Sequence, residues 1–199
     1  MLFIKPEKTT LITQFGFVTY LDQLFNLLEC AEYFNYFQSN IHWTSDELVI
    51  YGKKIITKRK IAWFANSNFD YNYSGVSRIA TSWDEKVLEI KQKLQLETGI
   101  TFNSCLLNYY PTGKEGMAWH SDDQNHLQPN STVAIISFGV ERFFKLRLLS
   151  NKSEPVKILL QKGSLLLMLD ETQKYWQHEI PKMAGIIDPR ISLTFRSMK

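Results

Sequence analysis

The spacing of apolar residues along the chain changes character at Gly99. Upstream, Leu21, Leu24, Phe25 and Leu28 recur at helical intervals between Thr19 and Phe37, and Asp22 stands three residues after Thr19 as in a capping box. Leu48-Val-Ile-Tyr51 and Ile55-Ile-Thr57 read as short strands around Gly52-Lys53, a hairpin. A second helix starts at the capping box Ser82-Trp83-Asp84-Glu85. It continues through Val87, Ile90, Lys91 and Leu94, with the lysine stem covering apolar surface, and stops at Gly99. Downstream, short apolar runs follow one another: Ser104–Tyr110, Thr132–Phe138, Phe143–Leu149, Val156–Leu160, Ser164–Leu169, Tyr175–Ile180 and Arg190–Arg196. Turn residues such as Pro111-Thr-Gly113, Lys162-Gly163 and Asp188-Pro189 separate them. Many short strands behind two helices predict an α+β fold: a double-stranded β-helix (jelly roll) core with the N-terminal helices packed on one sheet.

The 199 residues suit a single domain, 1–199. Residues 1–100 form its N-terminal extension and 101–199 its jelly-roll core. Hydrophobic residues make up 44% and aromatic residues 14%, enough for a β-rich core or for stacking on bases. The net charge of +3 permits a nucleic-acid partner without demanding one. Cys30 and Cys105 form no ligand pair and read as reduced, buried thiols. With no apolar run of membrane-spanning length and no cleavable leader, the expectation is a monomer away from membranes, in the cytoplasm or, in a eukaryote, the nucleus.

His120 and Asp122 are two residues apart, so on an extended strand both face one side. His178 lies in a later strand that a jelly roll can bring alongside. Two imidazoles and one carboxylate on one face of an octahedral ion make the facial triad of non-haem iron oxygenases. Alone, a His-x-Asp triplet is weak evidence, because such triplets occur by chance. The last strand adds to it: Arg190, Thr194 and Arg196 share one face at period two, while Leu193 and Phe195 take the other. Two arginines turned into an apolar barrel require anions, and a dicarboxylate supplies two. The alternative is an exposed edge strand whose charges face water.

Asn108-Tyr-Tyr110-Pro-Thr-Gly113, His120-Ser-Asp122-Asp123, Ser137-Phe-Gly139, Gly163-Ser-Leu-Leu, His178 and Arg190 to Arg196 occur in that order. Taken together they resemble the AlkB family of Fe(II)/2-oxoglutarate-dependent nucleic-acid dioxygenases, from about Tyr51 to the C-terminus. They are similar to the eukaryotic-type DNA-repair members, found in eukaryotes and many bacteria, rather than to the founding bacterial enzyme. The resemblance implies an oxidative demethylase of damaged bases such as 1-methyladenine and 3-methylcytosine in DNA, releasing formaldehyde and succinate. It implies Fe(II), the cosubstrate 2-oxoglutarate and O2. His120, Asp122 and His178 would bind the metal. Arg190 would bind one carboxylate of 2-oxoglutarate, and Arg196, Asn108, Tyr110 and Thr194 would surround its other end.

Lys53, Lys54, Lys58, Arg59 and Lys60 are five basic residues within eight positions, followed by Trp63 and Phe64. The segment suits a phosphate backbone with unstacked bases, and equally a solvated hairpin edge protected by lysines. The resemblance makes Tyr51 a finger that fills the gap left by a flipped base and Arg59 a backbone contact. Tyr71, Tyr73 and Ser74 become part of a nucleotide-recognition lid within residues 1–100, and Asp123 a contact to the exocyclic amine. Gln124 stands where duplex-repair relatives often carry an acid. Ser150 to Pro155 is short and Pro181 to Gly185 is less basic than in relatives that grip the opposite strand. Alkylated DNA is the expected partner, with single strands and RNA open. Rivals are the same chemistry on protein or lipid, and a non-catalytic jelly-roll module; formaldehyde and succinate release distinguish them.

Overall fold

The computed structural model describes residues 7–50, 53–67, 70–73 and 76–199. The elements are β1 (Lys8–Ile12), β2 (Phe17–Leu21), α1 (Leu27–Asn40), β3 (Thr44–Ile50), β4 (Lys53–Ala65), β5 (Asp70–Tyr73), β6 (Val76–Ile79) and α2 (Glu85–Thr98). They continue with β7 (Ser104–Tyr110), β8 (Met117–His120), β9 (Val133–Gly139), β10 (Arg142–Leu148), β11 (Val156–Leu160), β12 (Leu165–Leu169), α3 (Thr172–Tyr175), β13 (Trp176–Ile180) and β14 (Arg190–Arg196). A major sheet of eight strands runs in the order β1-β2-β12-β9-β14-β7-β4-β3, and a minor sheet of four runs β11-β10-β13-β8. β5 and β6 pair as a separate ribbon.

Strand alternation sorts the core into two layers. On the major sheet Leu107, Ala134, Ile136, Phe138, Leu165, Leu167, Ile191, Leu193 and Phe195 face the helices, where they meet Phe37, Val87, Ile90 and Leu94. The intervening residues Val133, Ile135, Leu166 and Met168 face the minor sheet and meet Phe144, Leu146 and Ile180. With both faces covered, β14 is buried along almost its whole length. This explains why its seven residues read as a buried run rather than as a half-exposed strand.

The expected jelly roll with helices on one sheet is present, but the first helix starts later than its spacing suggests. Thr19 to Leu21 belongs to β2, paired with β1 on one side and β12 on the other, in register Leu165↔Leu21 and Leu167↔Thr19. Val18 and Tyr20 are buried against the minor sheet, so period two outweighs the helical spacing through tertiary pairing. The helix begins after Asn26, whose side chain accepts from the Leu28 and Glu29 amides at 2.9 and 3.0 Å. Glu29 accepts from the Asn26 amide at 2.7 Å, so the capping box is Asn26/Glu29 and not Thr19/Asp22.

The second helix is capped by Asp84, two residues beyond Ser82; its carboxylate accepts from the Lys86 and Val87 amides. Gly99 ends that helix in the left-handed conformation, φ +71°. The hairpin expected around Gly52-Lys53 is β3–β4, longer than its apolar runs indicate. Strands β1, β2, β5 and β6 have no counterpart among the apolar runs of the sequence.

Two loops clasp one end of the barrel. The Gly113 amide donates to Ile186 O at 2.8 Å and the Met183 amide to Gly113 O at 2.7 Å. A Cβ on Gly113 would stand 1.9 Å from Met183 O, so only glycine allows this approach. Arg142, fully buried, donates to Thr112 O (3.1 Å), Glu115 O (2.7 Å) and Pro181 O (2.8 Å) and joins both loops. Among the described residues no helix is long and apolar enough to cross a membrane.

Leu193 is fully buried at the centre of the helix-facing layer. Leu193→Ala is expected to lower stability by about 2–5 kcal/mol, read as a fall in the urea midpoint.

Candidate active site

The cavity-facing side of the major sheet turns polar where β7 and β14 lie side by side. Ser104, Asn108, Tyr110, Arg190, Ser192, Thr194 and Arg196 line a cavity of about 290 Å³ between the sheets, closed opposite by His120, Phe144 and His178. Neighbouring strands thus contribute polar residues at the same alternate positions, in register Arg190↔Tyr110 and Ser192↔Asn108.

His120 and His178 lie directly across from each other on β8 and β13. Their rings are 4.2 Å apart, and Phe144 stacks on His178 at 5.4 Å. The β8 strand ends at His120, so Asp122 does not continue it as the i, i+2 argument supposes. A turn carries Asp122 inward, and its amide donates to Gln173 Oε1 at 2.9 Å while Ser121 Oγ donates to Trp176 O at 2.8 Å. One ligand atom from each of His120, Asp122 and His178 then lies within 4.8 Å of the others, a spacing suited to one metal ion. Because a carbonyl can only accept, the 2.8 Å contact from His120 Nδ1 to Ala118 O fixes the proton on Nδ1 and leaves the Nε2 lone pair for a metal.

Arg196 grips Asp122 with both arms, Nε to Oδ2 at 2.7 Å and Nη2 to Oδ1 at 3.0 Å. Burial alone would raise the Asp122 carboxyl; the charge and hydrogen bonds of Arg196, with the two histidines, hold it well below the usual carboxylate range. Burial, and then the neighbouring imidazole, pushes His178 down to about 3 against the pull of Asp122, and burial also lowers His120. All three side chains are therefore in their ligating protonation states at neutral pH.

Arg190 is 1% exposed. Its Nη2 donates to Ser137 Oγ at 3.0 Å, while Nε and Nη1 are buried without a hydrogen-bond partner. Burial lowers this guanidinium to about 10, so it remains charged at neutral pH. A second buried cation, Arg142, lies over the same Tyr110 ring, with guanidinium carbons at 5.8 Å for Arg142 and 5.4 Å for Arg190. A buried guanidinium with two unsatisfied donors fits a carboxylate, so the donor set suits both an iron ion and an organic acid beside it.

Asn108 and Thr194 line the same cavity. Arg196, expected at the far end of the cosubstrate, is joined to Asp122. Arg59, expected at a phosphate backbone, is 5% exposed and ion-paired with the fully buried Asp46. Asp123 stands on the cavity rim, its side chain 42% exposed and accepting from the Asn125 amide at 2.9 Å. Tyr71 and Tyr73 belong to β5, whereas Tyr51 and Ser74 lie outside the described residues. Of the two aromatics after the basic segment, Trp63 lines the cavity and Phe64 belongs to the helix-side core. Asp46, Arg142 and Gln173 also brace the site, and none has a local pattern in the sequence to mark it. Ser137 is visible only as part of Ser137-Phe-Gly139.

A histidine lowered by burial costs stability wherever the unfolded chain protonates and the fold does not. For His178 this window runs from the ordinary 6.5 down to about 3, so its contribution is intact above that window and lost as pH falls through it. His120 acts in the same direction, and Asp122 adds its loss only below its ordinary 3.8. The metal-free protein should unfold at lower urea at about pH 5 than at about pH 7, and His178→Asn should flatten that difference.

The 2OG-Fe(II) oxygenase superfamily model matches residues 17–196. The chain is 30% identical over 185 residues to the DNA oxidative demethylase ALKBH2 of Homo sapiens, covering 88% of this chain and 71% of that protein. Identity to the Bos taurus ALKBH2 is also 30%, over 88% of this chain and 66% of that one. The alpha-ketoglutarate-dependent dioxygenase alkB homolog 3 of Homo sapiens is 36% identical over 149 residues, 70% of this chain but only 51% of its own length. In fold the chain matches the structure of OsALKBH1, with TM-score 0.66 and 13% identity over 95% of this chain and all of that one. It also matches a 2OG-Fe(II) oxygenase family oxidoreductase from Burkholderia pseudomallei, with TM-score 0.61 and 11% identity over 90% and 84%. Through nearly its whole length, therefore, this chain belongs to the 2OG-Fe(II) oxygenase superfamily.

Proposed function

We propose that the chain is an Fe(II)- and 2-oxoglutarate-dependent dioxygenase that removes methyl groups from ring nitrogens of bases in alkylated DNA, such as 1-methyladenine and 3-methylcytosine. The observation that carries this reading is the meeting, in one cavity, of a three-residue metal set with a buried arginine that has two donors to give. The names of the relatives supply the substrate class.

His120, Asp122 and His178 would hold Fe(II), and Arg190 would take one carboxylate of 2-oxoglutarate with Ser137 bracing its third nitrogen. Bound there, the metal and the oxo acid supply oxidative decarboxylation coupled to O2 activation. In the overall balance one oxygen atom enters succinate, with loss of CO2, and the other enters the methyl C–H bond. The resulting N-hydroxymethyl group breaks at its C–N bond to release formaldehyde, and the ring nitrogen is restored.

The protein's part is placement and exclusion of water. Arg196 keeps Asp122 ionised and aimed. Phe144 and the inter-sheet core keep the His178 imidazole dry, and His120 stays fixed in one tautomer by Ala118 O. N1-methyladenine and N3-methylcytosine are cationic, so the Asp123 carboxylate at the rim favours them over the neutral bases. A methyl group on the pairing edge also weakens pairing, which lowers the cost of taking the base out of the helix.

Formaldehyde release from single-stranded DNA, duplex DNA and RNA, each with and without one methylated base, tests the proposal. Release is expected only from methylated strands and only with Fe(II) and 2-oxoglutarate; equal release from unmethylated strands, or none from any, would overturn it. Arg190→Lys keeps the charge but loses the forked grip, so KM for 2-oxoglutarate should rise roughly tenfold or more. An unchanged KM would remove Arg190 from the carboxylate.

A further inference from the structure

Beside the cavity lies a second depression, a groove of about 570 Å³ open to solvent. It runs between β4 and β8, which is the edge strand of the minor sheet. Groove and cavity share the wall formed by Arg59, Met117, His120 and Ile180, so the two adjoin beside His120.

Its charge is net positive. Lys58, Lys114 and Lys182 line it and are exposed, and among the described residues none has an acidic partner. The two acids along the groove are already engaged. Glu115 accepts from the Thr112 amide and hydroxyl at 2.9 and 2.8 Å, and Glu179 pairs with Lys145 at 3.2 Å. The alternation of β4 produces the contrast with the cavity, because Arg59 turns inward to Asp46 while Lys58 turns out. The lysine-bearing loops on the opposite side are those clasped by Arg142 and Gly113, so the cations sit on braced backbone.

Three unneutralised ammonium groups around a trough that ends at the metal set call for a polyanion whose reactive part is elsewhere on the same chain. We propose that this groove carries the sugar–phosphate strand of a single-stranded nucleic acid adjoining the target base, with Lys58, Lys114 and Lys182 each meeting a phosphate. The proposal rests on the reading of the substrate as nucleic acid and adds where the strand runs and which residues hold it. Point charges of this kind hold a backbone without reading its sequence.

The test compares K58Q/K114Q/K182Q with K8Q/K152Q/K162Q, a charge-matched set of exposed lysines outside the groove. The probe is a twelve-nucleotide single-stranded DNA with one 1-methyladenine, and the reference substrate is the methylated mononucleotide, which has no flanking phosphates. The ratio of KM for the strand to KM for the mononucleotide should rise roughly tenfold in the groove variant. The slope of log Kd for the strand against log salt, read by fluorescence anisotropy, should shrink by about 2, at about 0.7 per phosphate contact on a single strand. The control variant should change neither.

If the groove variant loses no more salt dependence than the control, the strand does not lie there and the proposal is overturned. Failure of the wild type to release formaldehyde from any substrate would instead count against the demethylase reading. The anisotropy slopes would still decide whether the groove holds a strand.

Discussion

The two hydrogen bonds from Arg196 to Asp122 join the last strand of the major sheet to the turn that leaves the minor sheet. Neither partner could be buried alone. A lone carboxylate at this depth would take up a proton and cease to be a ligand, and a lone guanidinium would oppose closure of the sheets. Paired, they hold the turn against β14, and the turn is fastened from its other side by Gln173 and Trp176 O. His120 and His178 need no comparable device, because the pairing of β8 with β13 already sets them opposite each other. The metal set is therefore two parts sheet register and one part ion pair.

A second cationic group lies deeper. Arg142 and Arg190 sit over one phenol ring, but their surroundings differ. Arg142 spends its two terminal nitrogens on three backbone carbonyls and behaves as a structural clasp. Arg190 has one serine hydroxyl and two open donors. Similar burial thus leaves one guanidinium with its terminal nitrogens spent on backbone and the other with donors open, and partner accounting, not charge, tells them apart. Each cation also raises the cost of the other, so an anion placed between them would gain by neutralising the region.

Much of this could be read in the sequence because strands of the barrel have period two and both faces matter. The bounds of β7, β11 and β14 coincide with their apolar runs, and the arginine face of β14 was visible as spacing. What was not visible arises from tertiary contact. Leu21 opens a helical spacing with Leu24, Phe25 and Leu28, yet Thr19 to Leu21 forms a strand, because β1 and β12 lie on either side of it. Asp122 looked like the next position of a strand that in fact stops at His120. Asp46, Arg142 and Gln173 have roles set by partners 13 to 51 residues away, and no local pattern marks such residues. Arg59 shows the same limit from the other side: within a basic run in the sequence, strand alternation turns Arg59 inward and Lys58 and Lys60 out.

The alternation of β14 also has a bearing on how the chain reaches its native state. A slip of one residue against β7 or β9 would carry Arg190 and Arg196 into the aromatic layer beneath the helices and bring Leu193 and Phe195 among the imidazoles. Both errors are severe at once, so nearby misaligned pairings lie far above the correct one in free energy. The two guanidinium groups of β14 thereby act during folding as a proofreading element, rejecting topologically similar but shifted arrangements.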